Sequence, residues 1–158
     1  MTGRPQREKP KETIRAAVSE DVYASVLPLL KNDTINFASV SQLVETIIFL
    51  SEHIYIAEPD NGFVIGLARL RANRVIAQIK DPELTASRYI HVTLDVDAVE
   101  FLDLLVRKYN MLFKNRSDVV ELLLLNIGEE CGTPDGIRYF ANRLAEVLSL
   151  HPLQERQH

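Results

Sequence analysis

Two hydropathy periods alternate along the chain in a fixed order, and the order occurs twice. Over residues 12–18, Ile14, Ala16 and Val18 fall on one side while Thr13, Arg15 and Ala17 fall on the other, the period of two that marks a strand with one buried face. Ser19 then offers an N-cap, with Glu20 and Asp21 in the first turn, where a helix dipole favours acids. Val22, Val26, Leu29 and Leu30 continue at helical spacing, and Pro28 predicts a kink because its ring removes one intrahelical bond. Asn32 and Asp33 end this helix. A second helix starts at Ser39 and carries Leu43, Val44, Ile47, Ile48 and Leu50 or Ser51 to about His53.

A shift of 76 residues reproduces the whole sequence of elements without a gap. Ile14 falls on Ile90, Asp21 on Asp97, Leu29 on Leu105, Phe37 on Phe113, Ser41 on Ser117, Val44 on Val120 and Glu45 on Glu121. In the second copy Ile90, Val92 and Leu94 alternate with Tyr89, His91 and Thr93. Asp95 is the expected cap of a helix bearing Ala98, Leu102, Leu105 and Val106. Asn115 caps the next, with Val119, Val120, Leu123, Leu124 and Ile127, ending before Gly132. Internal repetition of this length organises a fold. The expected division is a flexible basic arm (1–11), a first module (12–55), a linker with a helix (56–87), a second module (88–131), and a C-terminal helix and tail (132–158). In the linker, Ile65, Ala68, Ala72, Ile76 and Ile79 share one helical face, and Arg69, Arg71 and Arg74 lie elsewhere, on what reads as a solvated side. Thr133 and Pro134 start the last helix, whose buried face is Ile137, Phe140, Leu144 and Val147 or Leu148.

At 158 residues, 46% hydrophobic and 25% charged, the chain fits one ordinary soluble domain or two small modules sharing a core. A single cysteine, Cys131, excludes a disulfide framework and a thiolate-rich metal site and suits a reducing, cytoplasmic setting. His53, His91, His151 and His158 lack metal-ligand spacing. The pair of glycines in GFVIG lacks the Lys-Ser/Thr of a phosphate loop. No nucleophile–base grouping suggests an enzyme, and no cofactor is implied. The longest apolar run, VVELLLLNI, is far short of a membrane span. The net charge of −4 is unlike the basic footprint of most nucleic-acid binders, but the arm is locally basic. Arg4, Arg7, Lys9 and Lys11 stand there against one acid, Glu8, and can lie along a phosphate backbone.

A lone seven-residue strand cannot bury its apolar face, so a strand followed by two amphipathic helices needs a second copy. RAAVSEDVYASV and HVTLDVDAVEFL resemble the strand and capped first helix of the ribbon-helix-helix regulators, the MetJ and Arc family. SVSQLVETII and NRSDVVELLLL are similar to that family's second helix. The resemblance covers over half the chain. It implies a mainly α fold with a short two-stranded antiparallel β-ribbon: two tandem ribbon-helix-helix modules forming an intramolecular pseudo-dimer, plus linker and C-terminal helices. It further implies a sequence-specific double-stranded DNA-binding transcription regulator, a repressor or an activator, that reads the major groove with the ribbon. By motif position the base-reading residues are Thr13, Arg15, Ala17, Tyr89, His91 and Thr93. Phosphate contacts fall on Ser39, Val40 and Ser41 and on Asn115, Arg116 and Ser117, at helix N-termini. Arg15 can bond guanine in bidentate fashion, and Ala17 can touch a thymine methyl.

Members of that family usually carry one module and dimerise, whereas this chain carries two. The tandem form resembles regulators of viral or archaeal origin, which would place it in a host's cytoplasm if viral. Linker and tail helices either cover the core's flanks or join two pseudo-dimers, making self-association the second partner after DNA. The alternative is an antitoxin-like protein-interaction module with weak or no DNA binding, favoured by the acidic balance, by Ala17, and by Val40 where Arg116 stands in the other copy.

Overall fold

The computed structural model describes residues 10–150; Arg4, Arg7, Lys9, His151 and His158, and the side chain of Leu148, lie outside what is described. The fold is mainly helical with one two-stranded antiparallel sheet. Strand β1 (Lys11–Ser19) leads into helix α1 (Glu20–Val26), a 3-10 turn (Leu27–Leu30) and helix α2 (Val40–Ala57). Helix α3 (Gly62–Lys80) follows, then β2 (Ser87–Asp95), α4 (Val96–Lys108), α5 (Arg116–Glu130) and α6 (Pro134–Leu150). Pro28 acts as its chemistry predicts: α1 stops at Val26 and the chain tightens into the 3-10 turn with proline in its first positions.

The ribbon's register is centred on the repeat. Arg15 pairs with His91, its mate 76 residues on, and the pairs run outward through Ile14–Val92 and Ala16–Ile90 to Lys11–Asp95 and Ser19–Ser87. Ile14, Ala16, Val18, Ile90, Val92 and Leu94 are all buried against the helices. Period-two geometry therefore turns the intervening residues outward.

Four hydrogen bonds tie the ribbon's outer N–H groups to the helices, and they too are related by the 76-residue shift. The Ala17 N–H donates to Ser117 Oγ at 2.8 Å and the Thr93 N–H to Ser41 Oγ at 2.9 Å. One turn along, the Ser19 N–H donates to Glu121 Oε1 at 2.8 Å and the Asp95 N–H to Glu45 Oε2 at 2.6 Å. Each Ser/Glu pair sits at i, i+4 on one helical face, and each helix serves the strand of the other copy. Backbone bonds close both ribbon ends in the same pattern, Glu20 N–H to Ala86 O at 2.8 Å and Val96 N–H to Pro10 O at 3.1 Å. Two-stranded ribbons leave both edges unpaired; here serine and glutamate side chains satisfy part of each edge.

This corrects two expectations. Ser19 and Asp95 stand at the helix N-cap positions, but neither side chain caps. The Ser19 hydroxyl lies 3.2 Å from both Glu121 oxygens, and the Asp95 carboxylate pairs with Lys11 Nζ at 2.8 Å. Both residues end strands, so their side chains serve the ribbon.

Helix α5 is the hub, touching β1, α1, α2, α3, α4 and α6. It buries Val119, Val120, Leu122, Leu123, Leu124, Leu125 and Ile127, and a helix apolar on most sides must be covered on most sides. Gly128 lets α1 close on it: a Cβ there would lie 2.1 Å from Ser25 Oγ. Between α2 and α4 the 76-residue shift puts Phe101 at the position of Ser25 and Glu52 at that of Gly128, and Phe101 packs on Tyr55 at 5.7 Å between ring centroids.

The linker helix is the largest departure from expectation. Its docked residues are Phe63, Val64 and Leu67, with Arg71 and Arg74 turned inward as well. Arg71 donates to the Leu112 carbonyl and lies 3.4 Å from Asp118. Arg74 holds Asp21 through two bonds at 2.6 and 2.5 Å and donates to Leu84 O at 2.9 Å. These arginines are therefore structural, and the shared apolar face of Ile65, Ala68, Ala72, Ile76 and Ile79 points to solvent.

Asp21 beside Arg74, and Asp103 beside Arg116, have carboxyls held below the ordinary 3.8 by their guanidinium partners. A depressed folded value contributes stability above the unfolded value that is lost as pH falls through the folded one. Urea midpoints should therefore drop as pH is lowered below the ordinary carboxylate range, and Asp103→Asn should flatten that drop. An unchanged acid limb in the variant would show that the pair carries no linkage.

Candidate nucleic-acid interface

Six side chains on the ribbon's outer face come from both copies. Thr13 opposes Thr93, Arg15 opposes His91 and Ala17 opposes Tyr89; all are exposed except the half-buried Ala17. The Thr13 and Thr93 hydroxyls are 2.8 Å apart. The Arg15 guanidinium carbon lies 3.6 Å from the centroid of the Tyr89 ring, a diagonal contact within reach of long side chains across an antiparallel pair. A guanidinium over an aromatic face keeps N–H donors that the ring does not use. The face thus has a hydroxyl pair at one end, a stacked arginine and tyrosine at the other, and His91 between them.

Helices α2 and α5 begin beside this ribbon, and each N-terminus is closed by reciprocal side-chain caps. Ser39 Oγ accepts from the Gln42 N–H at 3.1 Å while Gln42 Oε1 accepts from the Ala38 N–H at 2.5 Å. Asn115 Oδ1 accepts from the Asp118 N–H at 3.0 Å while Asp118 Oδ2 accepts from the Lys114 N–H at 2.7 Å. This is capping-box logic. It leaves the first two amides of each helix, Val40 and Ser41, Arg116 and Ser117, without an intrahelical acceptor. Ser41 and Ser117 accept from the ribbon through their oxygens, and each retains its own proton as a donor.

The cations around the face are largely engaged. Arg116 Nε is 2.8 Å from Asp103 Oδ1, its Nη2 is 3.0 Å from Oδ2, and its Nη1 is 3.1 Å from Glu12. Those carboxylates raise the Arg116 pKa. Arg88 lies 3.6 Å from Glu20 and over the Tyr23 ring, and Lys11 pairs with Asp95. Nothing local to NRSDVV announces Asp103 or Glu12 as partners of Arg116.

No family model, curated protein or solved structure matches the chain significantly. The site's own geometry must carry the functional reading. Among the described residues, no group of His, Cys, Asp and Glu is placed to hold a metal ion, and no helix is long and apolar enough to cross a membrane. Cys131 is buried, and burial pushes its thiol up to about 11, the behaviour of a packing residue and not of a nucleophile.

Proposed function

We propose that residues 12–55 and 88–131 are tandem ribbon-helix-helix modules that form a pseudo-dimer within one chain, and that the protein is a sequence-specific double-stranded DNA-binding transcription regulator. Repression by occlusion of the bound site is the mode we favour, with activation as its alternative. The observation that carries this is the ribbon itself. An antiparallel pair centred on Arg15 and His91 presents Thr13, Arg15, Ala17, Tyr89, His91 and Thr93 on one outward face, beside two helix N-termini with unfilled amides. A two-stranded ribbon fits the major groove, where arginine, threonine and alanine side chains have base-edge partners. Because the two copies contribute different residues, the preferred site should lack perfect two-fold symmetry.

Arg15 is the residue with the most discrimination to offer. Arg15→Ala should weaken binding to the best site by on the order of 1–3 kcal/mol and relax preference at one base. Anisotropy titrations of wild type and variant on that duplex and on single-base variants of it check this. Equal affinities would remove Arg15 from the reading face.

A second reading is favoured by one specific observation: Arg116, Arg88 and Lys11 are paired with acids of the same chain. Such a face suits an antitoxin-like module that binds a protein partner. Salt distinguishes them, since displacement of counterions from phosphate makes affinity fall steeply with ionic strength. Steep salt-dependent binding to random duplex DNA supports the regulator; none at low salt supports the protein-binding module.

A further inference from the structure

We propose that the outward face of α3 is a self-association surface, on which two copies of this chain pair antiparallel about a two-fold axis at Ala72. The proposal does not depend on what the ribbon binds.

A linker helix needs one apolar face to dock, and α3 carries two. Phe63, Val64 and Leu67 meet the core. Adjoining that docked face, with its centre about 120° further round the helix, Ile65, Ala68, Ala72, Val75, Ile76 and Ile79 fall within an arc of about 100° at helical spacing. Ile65 and Val75 are each 48% exposed, Ile76 52% and Ile79 74%. Residues 65, 68, 72, 75 and 79 follow the alternating three and four spacing of a helix–helix seam. Helix α3 meanwhile spends Arg71 and Arg74 on its inner contacts, so more polar groups face the core and more branched aliphatics face water than one docked helix requires. Patches of this kind on soluble domains mark interaction surfaces.

The pattern suits a copy of itself. An isologous contact must be self-complementary, and inversion about Ala72 sets Ile65 against Ile79, Ala68 against Ile76, and Val75 at the seam's edge against the aliphatic stem of the exposed Arg69. Ala68 thus opposes the larger Ile76 on either side of an alanine centre that allows close approach, and isoleucines meet at the two ends. Antiparallel pairing opposes the helix dipoles. It also brings Lys80 of each copy to the level of Val64 of the other, about one turn from the exposed Asp60. Parallel pairing would instead stack like ends on like. The stripe removes roughly 500 Å² per copy, about 1,000 Å² in all, which is the low end for a specific interface. The dimer should therefore be weak and reversible, unlike the fixed pairing of the ribbon.

Sedimentation of the full chain from about 1 to about 200 µM tests this. The expected result is a monomer–dimer equilibrium with a dissociation constant on the order of ten micromolar. Ala72→Glu places two carboxylates on the axis and should weaken the dimer at least about tenfold, with the thermal midpoint unchanged because the site is exposed. For orientation, a mixture of Ile65→Cys and Ile79→Cys chains treated with a short bifunctional maleimide should give mainly 65–79 products. The buried, high-pKa Cys131 should not compete. A single-chain mass throughout the range, a dimer indifferent to Ala72→Glu, or a preponderance of 79–79 products would each overturn the proposal.

Discussion

Replacing Phe113 by alanine is expected to destabilise the protein by about 3–5 kcal/mol, the cost of emptying a fully enclosed ring site in a core that cannot collapse around it. Phe113 is 0% exposed. It closes the turn between α4 and α5, where its N–H and that of Leu112 both bond to the Tyr109 carbonyl at 3.0 and 2.9 Å. Its equivalent 76 residues earlier, Phe37, is only half-buried, so Phe37→Ala should cost less, about 1–2 kcal/mol by area. Urea unfolding of both variants measures the difference. Equal losses would mean that the two copies contribute alike to the core, against the burial seen here. Because Phe113 sits two residues before the Asn115 cap, its loss should also loosen the start of α5 and weaken any contact made there.

Glu121→Ala is expected to follow in size, at about 2–3 kcal/mol, and Glu45→Ala at about half that. Glu121 receives the Ser19 N–H and hydroxyl, and Ser19 is 4% exposed. Removing the carboxylate strands two donors where water cannot easily replace it. Glu45 receives a single ribbon N–H, from Asp95, a residue with greater access to solvent. A charge-assisted bond to a buried donor costs more to lose than one near the surface. Hydrogen exchange adds a readout that global stability does not: the Ser19 amide should lose protection in Glu121→Ala while the Asp95 amide keeps it, and the reverse in Glu45→Ala. Loss of protection at both amides in either variant would mean the ribbon opens as one unit.

The ribbon was legible because period-two alternation is a strong signal, and because Ile14 and Ile90 lie in phase across a gapless shift. The inward positions follow from that phase alone. The roles of Ser41, Ser117, Glu45 and Glu121 did not, although the signal was present: two identities at i, i+4 in both copies point along one helical face toward one neighbour. They were hidden because serine at a helix start suggests anion binding, whereas here the nearer unsatisfied groups are the ribbon's own amides. Ser19 and Asp95 read as caps in the sequence for the related reason that a helix start and a strand end share the same residue. Helix α3 was legible as a helix but not in its orientation. Periodicity shows which residues share a face, not whether that face meets the core. What turns it outward are Asp21, Asp118 and the Leu84 and Leu112 carbonyls, all far from α3 in sequence or outside its period. The partners of Arg116 were unreadable on the same ground, since Glu12 is 104 residues away.

The most direct measurement is selection of bound sites from a random duplex library at low chain concentration, with the mass of the resulting complex. An intrachain reading head with unequal strands predicts an enriched site without perfect two-fold symmetry, bound by one chain. A palindromic site bound by two chains, or no enrichment over random sequence, would contradict it.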